Sequence, residues 1–338
     1  MNSVMKELVV NFPTQVLKAI EIGKTIKLKS SKHINKIIAC GLWWSGIWSS
    51  FVAEYIADKC KVPMIINQDY QLPASVDKHS LIIIASYSGN TEEAVCMMHQ
   101  ALKVKAHIVC ISSWWQIAQL ADDHQIPYVI VPGGMPPRSC IGYSIVQQLY
   151  ILQQMKLIKK WFETQLRDAV TLLTQEQSKI IKESRDIASR LIHKTPIIYI
   201  QSKMESVAIR MRQNINENSK MLCRHHVVPE MNHNELVWRW WGKSEYAVIR
   251  LRNHDDDDRI QHRIQLNQEV IAHKTQTICE IYSKGDTFLS KGLYLIHFGD
   301  RLSLHLADLN NVDPIDIAVI EKLKTSLWEK KVVFKKQH

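Results

Sequence analysis

No stretch of this chain stays apolar over the roughly 20 residues needed to span a bilayer. Its opening segment, MNSVMKELVVNF, lacks the charged, apolar and small-residue zones of a secretory signal. No two cysteines form a CxxC pair; Cys40, Cys60, Cys96, Cys110, Cys140, Cys223 and Cys279 are scattered and odd in number. That argues against a disulfide scaffold and a zinc site, and fits reduced, mostly buried thiols in a cytoplasmic protein. Glycine is scarce: 11 in 338 residues, about 3% against a usual ~7%. Few positions can therefore take a positive φ or let a ligand approach the bare backbone. There is no short-period repeat and no low-complexity linker. The formal charge of +10 comes from dispersed Lys and Arg, apart from short groups such as Lys330–Lys331 and Lys335–Lys336. Without a recognition helix or an RNA-binding signature, it reads as a general attraction for anions and not as a nucleic-acid footprint.

Hydrophobic content of 46% and charged content of 22% describe an ordinary globular chain, and 338 residues are too many for one average core. Strand-like segments at Lys36–Cys40, Met64–Asn67, Leu81–Ser86, His107–Ser112 and Tyr128–Val131 alternate with helix-like ones at Gly46–Asp58, Thr91–Lys103, Gln116–His124 and Ile141–Lys156. Continuous apolar strands separated by helices imply α/β architecture with parallel sheets covered on both faces. Residues 157–194, without Gly or Pro, read as a long connecting helix. A second α/β unit follows, with strands at Pro196–Gln201, Tyr246–Leu251 and Gln276–Tyr282 and helices at Met204–Asn214 and Ser290–Asn310. The expected organisation is thus 1–156, 157–194 and 195–338. The run Asp255–Asp258 reads as a solvated loop or helix start, because it lacks the glycine and final glutamate of a calcium loop.

Leu81–Glu93 (LIIIASYSGNTEE) carries the most information. A buried-strand pattern breaks into Ser86, Ser88, Gly89, Asn90 and Thr91, and a helix opens with Glu92 and Glu93. Such a turn aims N–H groups and hydroxyls at one spot, which suits a phosphate. Spacing alone leaves an ordinary capped turn equally open.

SYSGNTEE resembles the phosphosugar loop of the sugar isomerase (SIS) domain. PGGMPPR at 132–138, NENSK at 216–220 and PEMNHNEL at 229–236 resemble, in order, motifs of the bifunctional phosphoglucose/phosphomannose isomerase branch of that superfamily. The resemblance runs from about residue 5 to about residue 327. It implies two SIS subdomains, each a doubly wound, flavodoxin-like parallel sheet flanked by helices. It also implies a metal-free, cofactor-free aldose–ketose isomerisation of a phosphorylated hexose in a homodimer.

That reaction moves a proton between C1 and C2 through an enediol, so it needs a base, a ring-opening group, an oxyanion stabiliser and a phosphate anchor. Alone, Glu217 reads as an exposed glutamate at a helix end; the resemblance makes it the base. His233, an imidazole suited to passing a proton to the ring oxygen, is implied to open the ring from a neighbouring subunit. His225 and His226 are its competitors nearby. The spacing of these histidines with Glu230 and Glu235 is not HExxH, so no metal is expected. Arg138, otherwise a surface arginine, is implied to stabilise the enediolate or hold substrate. Lys324 resembles the C-terminal lysine that closes over the site, with Lys322 as the alternative. Ser45, Ser86, Ser88 and Thr91 match the phosphate-binding hydroxyls.

The chain departs from the family pattern where tryptophan stands in place of glycine. Trp43 and Trp44 fill one glycine pair, Trp114 and Trp115 another; Trp48 stands where glycine is usual, and WRWWG at 238–242 crowds a third glycine-rich region. Three explanations are open: a remodelled loop in a protein that binds phosphosugars without converting them, an aromatic wall beside the sugar, or glycine codons read as tryptophan.

Overall fold

A computed structural model describes residues 3–329 except 32, 42–43, 114–115 and 238–244; the side chains of residues 3, 44, 324 and 327–329 also lie outside the description. Two helices, α1 (Ser3–Val10) and α2 (Phe12–Lys24), precede the first sheet. That sheet takes β1 (Lys36–Cys40), β2 (Met64–Asn67), β3 (Ser80–Ser86), β4 (His107–Ser112) and β5 (Tyr128–Ile130). Interleaved with them are α3 (Trp44–Ile56), α4 (Glu92–Lys103) and α5 (Gln116–Asp123), and α6 (Ile141–Gln154) follows. The strands pair in parallel, in the order β2-β1-β3-β4-β5. Central β3 reads SLIIIAS and is buried along its whole length, as a strand covered on both faces must be.

The helix α7 (Trp161–Leu191) runs for 31 residues and buries Phe162, Leu166, Ala169, Leu173, Ile180 and Leu191, spacings of three and four and sums of the two that define one stripe. The second sheet takes β6 (Thr195–Gln201), β7 (Arg224–Val228), β8 (Tyr246–Arg252) and β9 (Thr277–Tyr282), again all parallel, in the order β7-β6-β8-β9. Its helices are α8 (Glu205–Ser219), α9 (Asp258–Ala272) and α10 (Phe288–Leu309), and α11 (Ala318–Glu329) follows. Strand β7, RHHVV, was not expected. It is an edge strand with only Val228 fully buried, so it carries no apolar run. The acidic run is a helix start: Asp257 caps α9, its carboxylate accepting from Arg259 N at 2.9 Å.

One apolar core joins the two halves. It takes the inward faces of both sheets (Ile37, Ile83, Ile198, Ile249) and the helices between them (Phe51, Leu149, Phe162, Met211, Leu293, Phe298). The outer faces carry smaller clusters, one under α4 and α5 and one under α9. Packing in the middle layer is close: a Cβ on Gly292 of α10 would stand 2.4 Å from the Phe51 ring of α3. The carboxyl ends of the strands are thus held around a shared helical layer. No helix among the described residues is long and apolar enough to cross a membrane.

Candidate active site

In a doubly wound sheet of order 2-1-3-4-5 the chain diverges at strands 1 and 3, leaving a crevice beyond their carboxyl ends. Here the crevice is framed by Ser45, in the first turn of α3, and by the turn after β3, with Ser86–Thr91. It is a narrow cleft lined by Ser45, Trp48, Ser86, Tyr87, Pro137 and Tyr143, among others. Gly41, at the end of β1, leaves no room for a side chain: a Cβ would meet the Ser45 Cβ at 2.7 Å.

The Ser86–Thr91 turn is braced from several sides. The Ser86 and Thr91 hydroxyls share a 2.9 Å hydrogen bond. Gly89 takes a φ of +72°, and its N–H returns to the Ser86 carbonyl at 3.1 Å. The Tyr87 hydroxyl donates to the Pro132 carbonyl at 2.9 Å and accepts from Met135 N at 3.2 Å, which ties this turn to the PGGMPPR segment. Thr91 is the N-cap residue of α4, whose first turn carries Glu92 and Glu93. Ser88 is exposed.

Arg138, in the short 3-10 turn Pro137–Ser139, is 2% exposed, so it is not a surface arginine. Its Nη1 lies 3.4 Å from the Glu217 carboxylate near the end of α8. Its Nε donates to Asn218 Oδ1 at 2.8 Å, and its Nη2 donates to the Pro314 carbonyl at 2.5 Å. Burial draws the Arg138 guanidinium below its usual range, while the Glu217 carboxylate acts the other way. Glu217 itself is partly buried, a correction to its expected exposure.

Behind this pair lies a buried polar network. Arg210 grips Asp300 in two-pronged fashion, Nε at 3.0 Å and Nη2 at 2.6 Å, and Asn214 Nδ2 donates to the same carboxylate at 2.6 Å. Arg210 also donates to the Arg138 carbonyl at 3.0 Å. Asn218 Nδ2 donates to the Ser303 hydroxyl at 2.9 Å, which donates to the Asp300 carbonyl at 2.8 Å. Burial pushes the Asp300 carboxyl up, against the pull of Arg210. Trp48 is buried, with the Arg210 guanidinium 4.5 Å from its ring centre. The indole at this position thus both lines the cleft and stacks on the network.

Ser45 and Ser86 therefore share one cleft, Thr91 bonds to Ser86, and Arg138 meets Glu217. His233 is exposed on the 3-10 turn Glu230–His233 and does not line the cleft. Lys322 is exposed on α11, and the Lys324 side chain lies outside the described residues. Trp43, Trp114, Trp115 and the segment 238–242 lie outside them too, and of Trp44 only the backbone is described. The reading missed Arg210, Asn214 and Asp300. A signal existed: 210, 214 and 218 recur every four residues, a polar stripe beside the apolar one at 207, 211 and 215.

A model of the bacterial phosphoglucose isomerase C-terminal SIS domain matches residues 180–327. The bifunctional phosphoglucose/phosphomannose isomerase of Caldicellulosiruptor bescii is 34% identical over 96% of this chain and 99% of its own. The chain belongs to the bifunctional phosphoglucose/phosphomannose isomerase family. The Thermoplasma volcanium protein of the same name is 31% identical over 87% of this chain and 91% of its own. The fold is shared with a putative phosphosugar isomerase structure from Clostridium difficile, at a TM-score of 0.75 and 14% identity, covering 94% of this chain and 97% of that one. In family terms, both sheets are SIS-type sheets.

Proposed function

We propose that this enzyme interconverts glucose 6-phosphate or mannose 6-phosphate with fructose 6-phosphate through an enediol. The observation that carries the reading is the 3.4 Å approach of Arg138, from the first half, to Glu217, from the second. Glu217 takes the proton from C2 of the open-chain aldose and returns it to C1. The Arg138 guanidinium, already desolvated, faces the oxyanion that develops beside the base. Ser45, Ser86, Ser88 and Thr91, with the N-terminus of α4, hold the phosphate remote from the reacting carbons, so its binding energy aligns them. Lys324, or Lys322, closes the site from the C-terminal helix. The reaction as written calls on no metal or cofactor.

His233 opens the sugar ring from the second subunit of a homodimer. Its exposure outside its own cleft supports this, as do the apolar Leu222 and Val237, 66% and 84% exposed near it in sequence. The seven free cysteines suit a reducing compartment, and we place the enzyme in the cytoplasm. Mixing Glu217→Gln with His233→Ala subunits tests the arrangement. Two inactive variants recover activity on mixing if base and histidine meet across an interface; no recovery places His233 in its own subunit's site.

A further inference from the structure

Tyr87 stands between Ser86 and Ser88, two of the hydroxyls assigned to the phosphate, and its ring lines the cleft. Its carbonyl is fixed to the end of β4, accepting from Ser113 N at 3.1 Å and from the Ser113 hydroxyl at 2.6 Å. Its own hydroxyl reaches the segment that follows β5. There Pro132 and Met135 are residues i and i+3 of a turn through Gly133 and Gly134. A β-turn often closes with a direct bond between those two residues. Here the phenolic oxygen stands between them, donating to Pro132 O at 2.9 Å and accepting from Met135 N at 3.2 Å. Burial pushes this phenol well above its usual range, so the proton stays on the oxygen.

The turn itself is pliable. Gly134 takes a φ of +81°, and a Cβ there would meet nothing within 4 Å, so conformation and not space asks for glycine. Downstream the chain stiffens. Proline rings fix φ at both Pro136 and Pro137. Ser139 N and the Ser139 hydroxyl return to the Pro136 carbonyl at 2.9 and 2.7 Å. Wherever Met135 is held, Arg138 three residues on is carried with it through few free torsions.

We propose that Tyr87 is a positioning residue for the isomerisation: its hydroxyl closes the Pro132–Met135 turn and so sets the position in which Arg138 faces Glu217. This role rests on the isomerase reading above. A phosphate held by Ser86 and Ser88 fixes the backbone on both sides of Tyr87, so its binding energy reaches the guanidinium through one aromatic strut. The Arg138 side chain is also held by Asn218 and by the Pro314 carbonyl, so losing the strut displaces it without freeing it. Phenylalanine keeps the ring in the cleft, and leaves the Pro132 carbonyl and the Met135 N–H to meet directly or go unmet.

The test compares the parent with Tyr87→Phe on fructose 6-phosphate. Calorimetry with sorbitol 6-phosphate, an open-chain phosphosugar with no carbonyl to react, counts the competent sites in each. Tyr87→Phe should lower kcat per competent site about tenfold, the scale of two neutral hydrogen bonds. Its affinity for sorbitol 6-phosphate should stay within about twofold of the parent's, because the lost contact serves the transition state and not binding. Ser113→Ala is the second variant: it loosens the same loop at the Tyr87 carbonyl, leaves the turn closed, and should keep kcat within about twofold of the parent. Parental kcat in Tyr87→Phe, or a loss confined to KM and analogue affinity, overturns the role. An equal kcat loss in Ser113→Ala overturns it too, since general loosening would then explain both. Tyr87→Phe without competent sites makes the contact one of folding alone, and also overturns it. A parent that leaves fructose 6-phosphate unconverted sinks the isomerase reading itself; with an active parent, the outcomes above sink only this role.

Discussion

Asp300→Asn removes one charge from the buried network and nothing from its volume. In the native protein that carboxylate receives Arg210 Nε, Arg210 Nη2 and Asn214 Nδ2 at 3.0, 2.6 and 2.6 Å, and Asp300 is 4% exposed. The amide keeps one acceptor oxygen and turns an NH₂ toward a donor. Arg210, 1% exposed, is left as an uncompensated charge in the core. Breaking a buried pair from one side costs about 3–5 kcal/mol, a large part of the roughly 5–15 kcal/mol that holds a domain folded. Urea unfolding measures the loss at constant slope. The double variant Arg210→Met/Asp300→Leu removes both charges of the pair, though Arg301 also draws on Asp300, and should recover part of that stability, giving a strong coupling in the double-mutant cycle. A loss below about 1 kcal/mol for Asp300→Asn, typical of an exposed pair, would refute the reasoning. So would a double variant no more stable than Asp300→Asn alone.

Two groups, Glu54 partly buried and His297 fully buried, set opposite pH slopes. Burial pushes the Glu54 carboxyl from 4.5 up to about 8, with its hydrogen bonds from Ser206 opposing. The folded state holds that proton more tightly than the unfolded chain, so this contribution to stability is lost as pH rises from about 4.5 to about 8. Thermal melts of Glu54→Gln should lack that decline. Burial, then Arg301 and Arg210, draws His297 from 6.5 down to about 3, and its ring stacks on Phe12. Its contribution is present above 6.5 and lost as pH falls toward 3, so His297→Phe should lose less stability between neutral and mildly acidic pH than the parent. Intact-mass measurement of the natural protein decides the tryptophan question: agreement with ten tryptophans excludes misread glycine codons, and a lower mass matching glycine substitution establishes them.

The parts legible from sequence are those where local and tertiary demands agree. Strands β1, β2 and β4 fall where their β-branched runs end, and β3 opens one residue earlier than expected, at Ser80. Edge strand β7 escaped because half-buried histidines carry no periodic signal. Arg138 and Glu217 were each placed in the site by motif resemblance, but their pairing was not legible, since the two lie far apart in sequence and meet only through the shared helical core. The Arg210–Asp300 pair was hidden for the same reason: each partner alone looks like a surface charge on a helix, and burial appears only once α8 and α10 pack.

The direct test of the isomerase reading follows fructose 6-phosphate in deuterated water, measuring deuterium at C2 of the aldose formed. The parent enzyme should incorporate solvent deuterium there, and Glu217→Gln should incorporate none while still binding the phosphosugar. Incorporation by Glu217→Gln at the parent's rate would contradict the account, because a different group would then be carrying the proton.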